Sequence, residues 1–124
     1  MKAYVTCPVS LSDNRLNLLP EIENVLRSCG LDVFVFKIGG SPDNIFQRDY
    51  EQLELCDVIV AEVSEASHGV GIELGISHCL NHKIVLVFEK GKKVSALARG
   101  IPNAVLVEYE NLEEMKKKLS EAFK

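Results

Sequence analysis

Apolar and polar residues are arranged in two ways along this chain. Short, nearly unbroken apolar runs stand at 2–6, 31–36, 57–63, 83–88 and 104–107, and between them lie stretches whose apolar residues recur every three to four positions. The runs read as buried strands and the stretches as amphipathic helices. Leu16, Leu19, Ile22, Val25 and Leu26 space a first helix to about Cys29, with Ser12 or Asp13 able to cap it and Gly30 as its stop. Pro20 requires either a late start, with the proline in the first turn, or a kink. After the turn at 39–43, a helix to about Cys56 puts Phe46, Tyr50 and Leu53 on one face, and Asp49 borders that stripe. A helix from about Val70 to His82 has Ile72, Ile76, Cys79 and Leu80 as its apolar stripe, with Glu73 on the edge. Val94 to Arg99 reads as a short helical segment, and Asn111 caps a final amphipathic helix.

Strands and helices alternating at this spacing predict an α/β fold. The expectation is one doubly wound, flavodoxin-like or Rossmann-like domain over residues 1–124, with a five-stranded parallel sheet covered by helices on both faces. Ligands of such sheets bind at the carboxyl ends of the strands, beside the reversal in strand order. A flavodoxin-like order puts strands one and three there, so the loops carrying Ser10, Ser67 and Ser95 share one rim.

A net charge of −4 without a basic run argues against nucleic acid polymers and anionic membranes as partners, but leaves room for a free nucleotide. No apolar run approaches the roughly 18 residues of a membrane span. Cys7, Cys29, Cys56 and Cys79 lie far apart beside apolar segments, as reduced cysteines do, and the chain enters its first strand directly. The expected setting is the cytoplasm.

Candidate chemistry centres on the stretch from Ala61 to Gly75. Its spacing Gly69-x-Gly71-x-x-x-Gly75 resembles a dinucleotide fingerprint, yet Glu73 would repel a pyrophosphate at that helix start. The glycines then read as room for a small ligand and Glu73 as a reacting group. Asp49 is a second carboxylate on the inner edge of a helix. Two such groups can break a glycosidic bond through an oxocarbenium-like transition state, one attacking the anomeric carbon and the other assisting the leaving group. The plain alternatives are a half-exposed helix residue at Asp49 and a first-turn acid favoured by the macrodipole at Glu73. Ser67, with the backbone donors beside it, makes a neutral anion cradle or a simple cap. Ser95 and Arg99 are either a phosphate contact or a cap and a surface arginine. His78 and His82 lack the general-base glutamate of a metalloprotease helix, and no metal is expected; His68 reads as a solvent-facing turn residue. A phosphoacceptor domain would carry aspartates where strands one and three end, but Thr6 and Cys7, then Glu62 and Val63, stand there.

At these residues the chain resembles the nucleoside 2-deoxyribosyltransferase superfamily, and within it is most similar to the 2'-deoxynucleoside 5'-monophosphate N-hydrolases. The resembling segments are 48–53, 56–75 and 93–100, within a match of order and spacing from about Ile45 onward. The resemblance implies Glu73 as nucleophile on C1' of deoxyribose and Asp49 as the aid to base departure. It implies Ser67 on the 5'-phosphate, Ser95 reaching that phosphate from the other subunit of a homodimer, and Tyr4 holding the sugar. Gly69 and Gly71 belong to the same motif. Transferases acting on free nucleosides carry an acid at the position of Ser67, which would repel a phosphate. The hydrolases follow strand one with a Gly-Ser-rich turn and an arginine. Here Cys7-Pro8-Val9-Ser10 stands instead, leaving Ser10, Ser12 or Arg99 to compensate. The function expected is hydrolysis of deoxynucleoside monophosphates without cofactor. Base exchange by a transferase and nucleotide binding without catalysis are the alternatives.

Overall fold

The computed structural model describes residues 1–9 and 15–124; Ser10, Ser12 and Asp13 lie outside them. Among the described residues, five strands form one parallel sheet: β1 (Lys2–Thr6), β2 (Asp32–Val35), β3 (Val58–Glu62), β4 (Lys83–Glu89) and β5 (Val105–Tyr109). Their order is β2-β1-β3-β4-β5, all neighbours parallel, so the reversal in order falls between β1 and β3 as expected. β3 and β4 are almost wholly buried, which is why they read as continuous apolar runs rather than as alternation.

The helices are α1 (Leu19–Ser28), α2 (Pro42–Leu55), α3 (His68–Cys79), the single turn α4 (Ala96–Arg99) and α5 (Leu112–Glu121). Pro20 sits in the first turn of α1, preceded by a 3-10 turn at Arg15–Leu18; of the two options, the late start is the one adopted. The ring supplies a φ suited to a helix start, where its missing N–H costs nothing. Gly30, at φ +89°, ends the helix in a conformation that favours glycine. Ser41 and Asn111 cap α2 and α5 by accepting from Asn44 N and Glu114 N.

Alternation along the strands sends side chains to two cores. Val5, Val58, Val60, Val85 and Val87 meet Ile22 and Leu26 of α1 and Met115 and Leu119 of α5. On the other face, Tyr4, Ile59, Ala61 and Leu86 meet Leu53 of α2 and Val70 and Leu74 of α3. Phe46 departs from its expected buried stripe: it is 54% exposed and tilted against Tyr50, with ring centroids 6.0 Å apart.

A polar knot closes the first face at the carboxyl edge of the sheet. Glu62 is fully buried and accepts from Ser64 N and Ser64 Oγ, both at 2.7 Å, and from Tyr109 Oη at 2.6 Å. Arg15 joins it to the end of β4, with Nη1 2.6 Å from Glu89 and 3.9 Å from Glu62. A buried carboxyl is tolerated only when donors surround it. Tyr109→Phe keeps the ring and strips one donor, so urea unfolding should show a loss of about 1–3 kcal/mol; an unchanged midpoint would mean that the bond contributes nothing.

Candidate active site

β3 leaves the sheet at Glu62, and the chain turns before Ser67 caps α3, its Oγ accepting from Val70 N at 3.3 Å. The helix therefore opens at His68, two residues before the expected start at Val70, and His68 is exposed on its first turn. The expected apolar stripe is also corrected. Val70, Glu73, Leu74 and Ser77 face inward, whereas Ile72 is 55% exposed and Cys79 and Leu80 lie on the surface. Apolar residues occur on every side of α3, so spacing alone does not identify the buried face. Hydrogen-bonding groups on the sheet do.

Those groups are Tyr4 and Thr6, two apart on β1 and therefore on the same face. Tyr4 Oη donates to Oε2 of Glu73 in a short bond, and Thr6 Oγ1 donates to Oε1 at 2.9 Å. Glu73 is 8% exposed. Burial pushes its carboxyl up to about 7; the two hydroxyls pull the other way, and the like charge of Asp49 adds to the rise. Burial, and then the charge of Glu73, holds the Tyr4 phenol protonated well above the usual tyrosine range.

Asp49, on α2, acts on both Tyr4 and Glu73 and is itself oriented by Arg48, whose Nε lies 3.3 Å from Asp49 Oδ1. The same guanidinium donates to the carbonyls of Lys37 and Gly39, fastening the loop between β2 and α2. Glu73, Asp49, Thr6, Ser67 and Gly69 line one cavity of about 560 Å³, with Phe36, Phe46 and Tyr50 among its apolar walls. Two carboxylates at the edge of a largely apolar cavity can stabilise a developing positive charge.

Ser95, Arg99 and Gly71 do not join them. They line a second cavity of about 750 Å³ that lies across Ser67, which borders both. Ser95 caps α4 and is exposed, as is Arg99. Tyr4, expected on the sugar, is fully buried outside the lining of the first cavity, and its hydroxyl donates to Glu73. The glycines have room around them: a Cβ on Gly71 or Gly75 would meet nothing within 4 Å, and one on Gly69 only Ser67 Oγ at 3.9 Å. Thr6 and Arg48 were not anticipated as site residues. For Thr6 the available signal was its position two residues after Tyr4; for Arg48 it was a cation adjoining Asp49.

The chain is 34% identical to the "Putative 2'-deoxynucleoside 5'-phosphate N-hydrolase 1" of Thermofilum pendens, over 96% of this chain and 92% of that one. It belongs to that N-hydrolase family. A 5-hydroxymethyl-dUMP N-hydrolase of Esox lucius is 40% identical over 64% of this chain and 58% of its own length. In fold, the chain is similar to the CMP N-glycosidase of Clostridium botulinum, with TM-score 0.75, 22% identity, and 96% and 98% of the two chains covered. No family model matches.

The buried carboxyl makes stability depend on pH in a stated direction. Glu73 holds its proton more tightly when folded, so its contribution is complete below the ordinary value of 4.5 and is lost as pH rises through about 7. Glu73→Gln removes that loss. Calorimetry should show the variant melting above the parent near pH 8, by the equivalent of up to about 3 kcal/mol, with the margin shrinking toward pH 4. Parallel pH dependences would rule out residue 73 as the titrating group.

Proposed function

We propose that this protein hydrolyses the N-glycosidic bond of 2'-deoxynucleoside 5'-monophosphates, giving a free base and 2-deoxyribose 5-phosphate. The observation that carries the reading is the carboxyl of Glu73, buried against the sheet, gripped at both oxygens and bordering a cavity shared with Asp49 and Ser67. In the first step a Glu73 oxygen bonds to C1' while the C1'–N bond breaks, and Asp49 assists the departing base with a hydrogen bond or proton. In the second step water attacks C1' while Asp49 takes its proton, and the C1'–O bond to Glu73 breaks, returning the carboxylate and releasing the sugar. Tyr4 steadies the carboxyl, and the apolar walls seat the base.

Ser67 stands at the opening of α3, where backbone donors and the helix dipole favour an anion, and a neutral hydroxyl there tolerates the 5'-phosphate. Gly69 and Gly71 leave that approach open. The active protein is a homodimer in which Ser95 and Arg99 reach the phosphate from the partner. Within one chain they border the cavity beside Ser67 and not the one holding Glu73. Leu97, 87% exposed between them, offers an apolar side chain for a second copy to cover. Arg99 would then supply the charge missing from the loop after β1. The unit is read as one cytoplasmic domain over 1–124; none of its four cysteines forms a C-x-x-C pair, and no helix among the described residues is long and apolar enough to cross a membrane.

A panel of deoxynucleosides and their 5'-monophosphates, scored by chromatography for free base, tests the reaction. Base should appear from the monophosphates, and Glu73→Ala should lower the rate by about 1,000-fold or more. Monophosphate binding in calorimetry with no base released would replace catalysis by sensing, and base exchange outpacing hydrolysis when a second base is supplied would make the protein a transferase. Ser67→Asp should cut kcat/KM on monophosphates by about 100-fold through like-charge repulsion. The dimer is tested by mixing Glu73→Ala with Ser95→Ala subunits. If Ser95 acts across the interface, heterodimers regain one intact site and activity returns; no recovery would place both residues in the same subunit's site.

A further inference from the structure

Both oxygens of Glu73 are held from β1, but the two donors differ in where they stand. Tyr4, bonded to Oε2, and Thr6, bonded to Oε1, are both buried, but of the two Thr6 belongs to the cavity lining and Tyr4 does not. Glu73 and Thr6 therefore border the cavity together, and Oε1 is the carboxyl oxygen that Thr6 holds. Building on the hydrolase reading above, we propose that Thr6 is a further catalytic residue: its hydroxyl aims Oε1 at C1' and keeps Glu73 ionised in a site that otherwise disfavours its charge.

The chemistry of the bond supports both roles. A hydroxyl donating to a carboxylate stabilises the charged form and fixes the carboxyl plane. When Oε1 bonds to C1', its charge is spent and the donation from Thr6 weakens. When water attacks C1' and gives a proton to Asp49, the C1'–Oε1 bond breaks, the electron pair returns to Oε1, and the Thr6 hydroxyl donates to the restored charge. Thr6 therefore favours departure of the carboxylate in the second step as well as its ionisation before the first.

Among the described residues, the other ionisable groups around the carboxyl do not take this place. From β1 the phenol of Tyr4 occupies Oε2. From α2, Asp49 adds a like charge and is engaged by Arg48, while Tyr50 stands on the cavity wall. Cys7 and Lys37 border the cavity from the ends of β1 and β2. On α3 itself, His68 and His78 are exposed and border the other cavity.

The test compares Thr6→Val, Thr6→Ala and Thr6→Ser with the parent by two readouts. The first is the pKa of Glu73, followed by carbon NMR of carboxyl-labelled protein without substrate. The second is the pH–rate profile on a deoxynucleoside monophosphate. Val and Ala should both raise the Glu73 pKa and move the acid limb upward by about one pH unit, a roughly tenfold loss of rate below the limb and much less above it. Ser should restore both. A merely structural role would lower the rate equally across the pH range, so superimposed limbs, or Ser behaving like Val, would overturn the proposal. If the parent releases no base, the hydrolase reading fails by itself, and the NMR titration still decides whether Thr6 controls the ionisation of Glu73.

Discussion

A carboxyl group cannot be pressed against the apolar face of a parallel sheet unless something there donates to it. In this fold that requirement is met by Tyr4 and Thr6, and the arrangement of α3 follows from it. The helix turns Glu73 inward with Val70, Leu74 and Ser77, leaving Ile72 in solvent. On hydrophobic burial alone the exchange is unfavourable, since covering a side chain such as isoleucine stabilises by about 1.5–3 kcal/mol and burying a carboxylate costs energy. It persists because the hydrogen bonds offset part of that cost and, on the proposed mechanism, because the remainder is what makes the carboxylate reactive.

The position of this pair in the fold is itself constrained. β1 and β3 lie side by side in the sheet while their following connections diverge, which opens a crevice at their carboxyl ends. α3 follows β3 directly and α2 packs beside it, so a residue on the second turn of α3 and one midway along α2 meet over the end of β1. Glu73 and Asp49 occupy those two positions. Arg48 then ties the Asp49 side chain to the loop after β2, so that the wall of the cavity and the orientation of Asp49 are linked through one guanidinium.

The fold was largely legible in the sequence because parallel strands buried on both faces leave unbroken apolar runs, and the helices between them are long enough to show their spacing. That Glu73 and Asp49 border one cavity was suggested by something else: each acid stands among apolar residues of its helix, where a charge is out of place. What the spacing could not show was contact between residues far apart in the chain. Thr6 and Glu73 are separated by 67 positions, and the one local cue, a place on the same strand face as Tyr4, does not show that the threonine reaches a carboxylate. The orientation of α3 was misjudged because a helix apolar on all sides carries no preferred face in its periodicity. Phe46 lies off the core for another reason. Its spacing matches a core stripe, but the space over it is the cavity.

The two cavities on either side of Ser67 suggest a division of labour that a single chain leaves incomplete. On the side of Glu73, apolar walls and two carboxylates suit a sugar and base but offer a phosphate little positive charge. On the other side, Ser95 and Arg99 are exposed, and the apolar side chains beside them are uncovered. Open space at Gly71 and Gly75 lets another surface come close to α3 without meeting a side chain. On the proposed reading, a second copy brought against this face would cover Leu97 and carry a hydroxyl and a guanidinium toward Ser67. Hydrophobic association and phosphate recognition would then be served by the same contact.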